Sequence, residues 1–210
     1  LEGYHFLAYL SANCFGGILA DDMGLGKTVQ TLAWLAWLRD TGQLDGPALV
    51  ICPKSVQDNW RGEVARFCPG LKVRVWTRDT AGGFEDPAPP PPGKPSRKKK
   101  PALPPADDLF IINYTQLRLH EVALKARKWA AVILDEAQYI KNPSSQTTKA
   151  ACALQAGHRL ALSGTPIENR LLDLWSIMHF AMPGVLGHRA AFARTFNGKD
   201  DLLDRVNLAR

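Results

Sequence analysis

The sequence predicts an α/β fold in which a mainly parallel sheet is covered by helices on both faces. Short apolar runs typical of buried strands alternate along the chain with longer segments of helical periodicity. In addition, every polar motif with chemical character directly follows one of these apolar runs. Functional loops of a parallel sheet lie at the carboxyl ends of its strands, so we expect the site at that edge.

The elements can be predicted in order from these patterns. The predicted strands are 17–20, 48–52, 71–76, 109–112, 130–134 and 158–162. The 71–76 segment alternates apolar and basic residues, as an edge or half-buried strand does. The predicted helices are 1–10, 28–40, one that begins near Ser55, 116–128, 144–154, one that begins at Thr165, 190–196 and 202–210.

Two helix starts carry specific local predictions. Ser55 is expected to cap its helix, and Thr165 is expected to form a capping box with Glu168. The face predicted to be buried in the first of these helices is Val56, Trp60, Val64 and Phe67. The face predicted to be buried in the second is Leu171, Leu174, Trp175 and Met178, and Pro183 with Gly184 is expected to end it.

The segment 16–30 reads GGILADDMGLGKTVQ and has the order strand, glycine-containing loop, helix start. Backbone N–H groups in such a loop point toward a bound anion, and its glycines let the backbone approach phosphates. Lys27 is expected to reach the β- and γ-phosphates, and the Thr28 hydroxyl to ligate Mg²⁺. The general pattern has glycine where this chain has Asp21, and a chance Gly-Lys-Thr is the alternative. The predicted nucleotide-binding residues are Asp21, Asp22, Met23, Gly24, Leu25, Gly26, Lys27 and Thr28.

A second polar motif lies far downstream of the first. The apolar run 130–134 ends in two adjacent carboxylates, Asp135 and Glu136. Such a pair at the end of a strand is typical of a Mg²⁺-dependent ATPase, in which Asp135 would hold the metal, usually through water. Glu136 would orient or deprotonate the attacking water, and Lys27 completes the predicted catalytic set. A solvated acidic turn is the alternative, but it would leave the phosphate loop in the same chain unexplained.

The composition indicates a folded protein with a sizeable core. The chain has 210 residues, of which 46% are hydrophobic, and this is enough for one large α/β domain or two small ones. No apolar run approaches the roughly 18 residues that a membrane-spanning helix requires, so we expect no membrane partner. The cysteines lack C-x-x-C spacing and are predicted to be reduced core thiols of an intracellular protein. These cysteines are Cys14, Cys52, Cys68 and Cys152.

The segment at about 82–107 differs in composition from the rest of the chain. Residues 86–105 hold nine of the 15 prolines and carry +4 of the formal net charge of +6. Proline fixes φ and removes a hydrogen-bond donor, so we expect a disordered or extended Pro/Lys-rich insertion inside the domain. Its basic run either touches phosphates or is a solvated loop. Because the remaining residues are only weakly basic, charge alone does not predict nucleic-acid binding.

Five segments together carry a family resemblance. In chain order they are GGILADDMGLGKT, VICPKSVQDNW, IINYTQL, VILDEAQYIKN and LALSGTPIENRLLDLWSIMHF. This set resembles the Swi/Snf-type superfamily-two helicase-like ATPases over nearly the whole chain except the insertion. The resemblance implies a RecA-like three-layer fold of the P-loop NTPase class. It also implies an ATP-driven translocase on double-stranded DNA that remodels protein–DNA complexes. The family has Asp at the position of Asp21, which accounts for the missing glycine.

The resemblance implies further site residues by motif match. Those implied to couple hydrolysis to DNA contacts are Gln138, Ser163, Gly164 and Thr165. Those implied to track a DNA backbone are Lys54, Ser55, Asn113 and Tyr114. Gln138 stands where many relatives have histidine, which leaves the relay chemistry open. For Lys54, an ordinary surface lysine is the alternative.

Departures from the family pattern predict a larger parent protein. The second lobe, whose arginine completes the ATP site, and the adenine-reading glutamine lie outside the sequence. We therefore expect residues 1–210 to be the first RecA-like lobe, incomplete at both ends, and to turn over little ATP alone. A monomer is expected, in the cytoplasm with the nucleoid of a bacterium or archaeon, or in a eukaryotic nucleus. The alternatives are a strand-separating helicase, and a module with a vestigial ATP site that docks a protein partner on DNA.

Overall fold

The fold is a three-layer α/β structure built on one parallel sheet. The computed structural model describes residues 2–22, 24–76, 108–164 and 171–196. Within these ranges six strands pair in parallel, in the order β1-β6-β5-β2-β4-β3. The strands are β1 (Gly17–Leu19), β2 (Ala48–Cys52), β3 (Val73–Val75), β4 (Leu109–Asn113), β5 (Lys128–Leu134) and β6 (Gln155–Leu162). The predicted fold class is confirmed.

Helices cover both faces of this sheet. They are α1 (Glu2–Ala12), α2 (Lys27–Asp40), α3 (Gln57–Phe67), α4 (Tyr114–Leu119), α5 (Glu121–Lys125), α6 (Gln146–Cys152), α7 (Leu171–Ala181) and α8 (Arg189–Phe196). Short 3₁₀ turns occupy Lys54–Val56 and Ala137–Ile140. Successive side chains of a strand point to opposite faces, so the strands contribute to two separate cores. Helices α1 to α3 pack on one core, and α4 to α7 pack on the other.

The central strands are buried on both faces, which explains why they are continuous apolar runs. Every residue of β2 is buried, and so is every residue of β5 after Lys128. Parallel strands covered by helices require this pattern. In contrast, β3 lies at the sheet edge and is only half-buried throughout, as its alternating sequence predicts.

The prediction that Ser55 caps a helix is wrong. Ser55 lies inside a 3₁₀ turn that follows Pro53, and α3 begins only at Gln57 without a side-chain cap. The turn itself supplies a backbone hydrogen bond, from Val56 N to Pro53 O at 3.1 Å. Trp60 and Val64 are buried as predicted, whereas Phe67 at the end of α3 is exposed.

The predicted 116–128 helix is also wrong in its extent. The helix begins earlier, at Tyr114, because Asn113 forms a capping box with Gln116. It is interrupted at His120, where α4 gives way to α5. Lys128, the predicted end of the helix, is instead the first residue of β5.

The buried face of α7 differs from the predicted one. Trp175 is buried as expected, but Leu171, Leu174 and Met178 are only partly buried. The fully buried positions are Ser176, Ile177 and Phe180. The Ser176 hydroxyl donates a hydrogen bond to Ile140 O, so a polar residue faces the core because its donor is satisfied.

Some predictions concern residues outside the described ranges. They include the insertion at 82–107, the capping box of Thr165 and Glu168, and the helix 202–210. Among the cysteines, Cys52 is buried, but Cys14 is exposed, so the prediction of a core thiol is wrong there. No helix within the described ranges combines the length and apolar character needed to cross a membrane.

Candidate functional site

The carboxyl edge of the sheet brings the predicted motifs together. Strands β1, β6 and β5 are neighbours, and all run in the same direction. The segments that follow them carry Lys27, Ser163 and Asp135 respectively. Backbone hydrogen bonds fix two of these segments against adjacent strands, from Ser163 N to Leu19 O and from Asp135 N to Ile51 O. Burial is the largest influence on the pKa of Asp135 and raises it, and the charge of Lys27 is near enough to oppose that rise slightly.

Side chains at the start of α2 hold the loop that precedes it. Lys27 Nζ donates to Asp21 O at 2.8 Å and to Asp22 O at 3.1 Å. The amide of Gln30 donates to Asp21 Oδ2 at 3.1 Å and to Leu25 O at 3.0 Å. Among the described residues Lys27 forms no ion pair, so its charge faces only neutral carbonyl dipoles at close range. Such a cation is suited to an incoming anion.

Two glycines give the loop its shape. Gly24 has φ of 87° and Gly26 has φ of 75°, a left-handed region that favours glycine. Gly26 immediately precedes the first turn of α2, whose free N–H groups form an anion-binding end. Thr28 lies partly buried in that first turn, and Met23 lies outside the described residues.

The carboxylate of Asp135 is fixed on both oxygens. Trp60 Nε1 donates to Oδ2 at 2.8 Å, and the backbone N–H of Glu136 donates to Oδ1 at 3.0 Å. Burial raises the pKa of Asp135, and the neighbouring Glu136 charge raises it further; the Trp60 hydrogen bond and Lys27 act in the opposite direction. Tyr114 Oη also donates to the Asp135 carbonyl at 2.8 Å. The side chain is therefore already oriented.

The residues present fit a hydrated Mg²⁺ that arrives with a nucleotide. Two acids adjoin at Asp135 and Glu136, and burial of Asp135 favours added positive charge beside it. No group of three or more His, Cys, Asp or Glu residues suited to a metal occurs in the described part of the chain. An all-protein metal cage is thus absent there, whereas Mg²⁺ commonly uses one or two carboxylates together with waters and substrate phosphates.

Glu136 is linked to the end of β6 through Gln138. Gln138 Nε2 donates to Glu136 Oε2 at 2.7 Å, and Ser163 Oγ donates to Gln138 Oε1 at 3.1 Å. An amide side chain offers both a donor and an acceptor, so it can join a carboxylate to a hydroxyl. Gly164 follows Ser163 and is partly buried, whereas Thr165 lies outside the described residues.

The predicted DNA-tracking residues separate into two groups. Lys54 and Ser55 are exposed on the turn after β2. Asn113 uses its side chain to cap α4, accepting from the N–H groups of Thr115 and Gln116. Tyr114 is 6% exposed, and its hydroxyl is bonded to Asp135 O. Little of the Tyr114 side chain therefore lies at the surface, and its role in tracking DNA stays a prediction.

Trp60 and Gln30 touch the site but were not among the predicted site residues. Trp60 was assigned only to an apolar helix face, although a buried indole N–H usually needs an acceptor. That requirement is the one sequence signal that pointed to a polar partner. Tyr139 is a further neighbour, because its exposed ring stacks on Tyr114 with a centroid distance of 4.7 Å.

The fold and site together are those of a P-loop NTPase domain. A glycine loop precedes a helix after one strand, and an acidic pair ends another strand of the same parallel sheet. The chain belongs to the SNF2-related domain family, whose family model matches residues 1–207.

Relatives and solved structures agree with this assignment. The chain is 38% identical over 195 residues to an uncharacterized ATP-dependent helicase of Mycoplasma pneumoniae, covering 93% of this chain and 18% of that protein. It is 33% identical over 207 residues to the ISWI chromatin-remodeling complex ATPase ISW2 of Saccharomyces cerevisiae, covering 98% and 17%. The structure resembles the Sulfolobus solfataricus SWI2/SNF2 ATPase core in complex with dsDNA, with a TM-score of 0.79 and 34% identity, over 99% of this chain and 41% of that one. The chain therefore spans less than a fifth of these two curated relatives.

Proposed function

We propose that this chain is the ATP-binding lobe of a DNA-dependent ATPase that translocates on double-stranded DNA and remodels protein–DNA complexes. The observation that carries the proposal is that the loop with Lys27 and the strand end with Asp135 and Glu136 lie at the same carboxyl edge of one parallel sheet. Relatives named as a helicase and as a chromatin-remodeling ATPase support the activity. A similar archaeal core solved in complex with dsDNA supports the DNA partner.

The nucleotide would be held by residues of the loop and of the strand ends. The loop from Asp21 to Thr28 cradles the phosphates, and Lys27 donates to the β- and γ-phosphates. Thr28 and Asp135 would hold Mg²⁺, Asp135 usually through water. Bound Mg²⁺ supplies positive charge that offsets the charge on the phosphate oxygens. The Asp135 carboxylate is suited to this role because both of its oxygens are already fixed by hydrogen bonds.

Glu136 would orient or deprotonate the water that attacks the nucleotide. Its Oε2 accepts from Gln138, which in turn accepts from the Ser163 hydroxyl. A change in the position of the Glu136 carboxylate therefore reaches the segment after β6 through two hydrogen bonds. We infer that Gln138 and Ser163 couple hydrolysis to DNA contacts by this route, together with Gly164 and Thr165, which follow Ser163 in the sequence.

The DNA contacts would lie on the same edge of the sheet. Lys54 and Ser55 are exposed on the turn after β2, where they can meet a phosphate backbone without reading its sequence. Asn113 would contribute through its position beside that turn, since β4 pairs with β2. This chain covers 41% of the archaeal core, which supports the prediction of a second lobe in the full-length protein.

The experiment measures ATP hydrolysis by the full-length protein with and without double-stranded DNA. The wild type is expected to be stimulated by DNA, and Lys27→Ala and Glu136→Gln are each expected to remove the stimulated rate. Lys128→Ala is the control, because Lys128 is an exposed lysine at the start of β5, on the opposite edge of the sheet. DNA-stimulated hydrolysis that survives both substitutions would contradict the proposal. A strand-displacement assay distinguishes a translocase from a strand-separating helicase, and absence of nucleotide binding would favour a partner-docking module.

A further inference from the structure

Trp60 links α3 to the acidic motif across 75 residues of sequence. Its side chain is completely buried, among the apolar residues between α3 and the sheet. The only polar atom of an indole is Nε1, which here donates to Asp135 Oδ2 at 2.8 Å. The aromatic body is thus fixed by packing, and its polar end reaches the site.

Three other hydrogen bonds hold the same aspartate. The Glu136 N–H binds Oδ1, Ile51 O accepts from the Asp135 N–H, and Tyr114 Oη donates to the Asp135 carbonyl. The backbone bonds set where Asp135 lies, and within the described residues two donors set how its carboxylate is turned. Of those two, the Glu136 N–H belongs to the adjacent residue, so Trp60 is the contact that ties the carboxylate to a separate element.

We propose that Trp60 is a positioning residue for the metal site: its indole N–H holds the Asp135 carboxylate in the orientation that receives hydrated Mg²⁺ with the nucleotide. This inference rests on the proposed role of Asp135 in metal binding. Groups that orient a metal-holding side chain affect metal affinity because they fix its geometry before the ion arrives. Each carboxylate oxygen keeps a second lone pair, so the two hydrogen bonds leave acceptor capacity for water of the metal.

The chain contains a matched comparison in Trp34. That side chain is 3% exposed, belongs to the same core, and donates from Nε1 to Ser11 Oγ at 2.8 Å. The bond joins α2 to α1 and touches none of the proposed site residues. Trp34 and Trp60 therefore differ in what their indole N–H groups bind, while their burial and hydrogen-bond lengths are nearly the same.

The test compares Trp60→Phe with Trp34→Phe in the full-length protein. The readout is the affinity for a non-hydrolysable ATP analogue, measured with saturating Mg²⁺ and again with the metal chelated. Trp60→Phe is expected to lower the Mg²⁺-dependent gain in affinity by roughly 10- to 100-fold, the range for groups that orient a metal ligand. It should change the metal-free affinity little, and Trp34→Phe should leave the Mg²⁺-dependent gain intact.

A second variant allows the same comparison if the smaller phenylalanine ring of Trp60→Phe disturbs folding. Benzothienylalanine at position 60 keeps the bicyclic shape of tryptophan but replaces the N–H by sulfur, and the same replacement at position 34 is its control. An unchanged Mg²⁺ dependence in the position 60 variant would overturn the inference, as would an equal loss at position 34. If the wild type itself binds the analogue with no Mg²⁺ dependence, the proposed metal role of Asp135 fails instead.

Discussion

Glu136 combines the proposed catalytic position with a backbone conformation that non-glycine residues rarely adopt. Its φ is 53° and its ψ is 57°, between Asp135 and the 3₁₀ turn Ala137–Ile140. Such a residue costs on the order of 1–3 kcal/mol of stability and tends to occur at functional sites. The conformation accompanies a side chain that accepts from Gln138, so we infer that the strain is retained to place the carboxylate.

Replacing Glu136 by glycine and by alanine separates the backbone strain from the side chain. Both variants lose the carboxylate, but only glycine adopts a positive φ without steric strain. We expect Glu136→Gly to be more stable than Glu136→Ala by about 1 kcal/mol, the reverse of the order at ordinary positions. Urea unfolding of the two variants measures this difference. An alanine variant that equals or exceeds the glycine variant would show that position 136 is not strained.

The protonation of Tyr114 makes the stability of the fold depend on pH in the alkaline range. Burial raises the pKa of Tyr114 well above its usual value, and the nearby Asp135 charge adds to the increase. The unfolded chain therefore releases this proton near pH 10 while the folded chain keeps it. The contribution of Tyr114 to the free energy of unfolding is therefore fully present below about pH 10, the pKa of tyrosine in the unfolded chain. It is lost as the pH rises further, by about 1.4 kcal/mol per pH unit.

Tyr114→Phe is expected to cost about 1 kcal/mol at pH 7, because it removes the hydrogen bond to Asp135 O. Since the variant has no proton to release at this position, its disadvantage should shrink above pH 10 and vanish near pH 11. Denaturant unfolding from pH 8 to 11 measures the change. Tyr139→Phe is the matched control, because it removes the same atom from the exposed ring of the stacked pair. A constant difference across that range would contradict the assignment.

At the scale of elements, the two turns that follow β2 and β4 are held in different ways. After β4, Asn113 accepts from the N–H groups of Thr115 and Gln116, and Gln116 accepts in return from the Asn113 N–H. After β2, Ser55 makes no cap, because the 3₁₀ turn comes between the strand and α3. Of the two side chains, only that of Asn113 therefore stabilises the start of a helix.

Asn113→Ala is consequently expected to lower the free energy of unfolding by about 1 kcal/mol, as loss of a helix cap does. Ser55→Ala is expected to change it by less than about 0.5 kcal/mol, as is usual for an exposed position. Parallel urea unfolding of the two variants provides the measurement. Equal losses in both variants would be inconsistent with the capping described here.

The sequence predicted the strands better than the helices. Strands such as β2 and β5 are buried on both faces, so their apolar runs mark them directly. The buried faces of helices were predicted less well, because tertiary packing decides which of several neighbouring apolar residues is buried. In α7, Ile177 and Phe180 face the core instead of Leu174 and Met178. The predicted start of α3 was wrong because a 3₁₀ turn follows Pro53, so Ser55 lies within that turn and does not cap the helix.

At the scale of the whole molecule, the sheet order determines which motifs meet. The sequence suggested that Lys27 and Asp135 share a site, because both follow apolar strands and parallel strands end at one edge. It could not supply the lateral order in which β5 lies between β2 and β6. That order places Asp135 beside Ile51 and within hydrogen-bonding reach of Trp60. Both residues lie far from Asp135 in the sequence. The polar contacts of Trp60 and Tyr114 therefore became visible only in three dimensions.

We propose a single site in which Lys27 and Asp135 act on one nucleotide and its metal. The most direct test of this site is the affinity of the full-length protein for an ATP analogue, with and without Mg²⁺, in Lys27→Ala, Asp135→Asn and the control Lys128→Ala. We predict that Lys27→Ala weakens binding under both conditions, that Asp135→Asn removes only the gain due to Mg²⁺, and that Lys128→Ala changes neither. Wild-type affinity in both site variants, with and without the metal, would contradict the account.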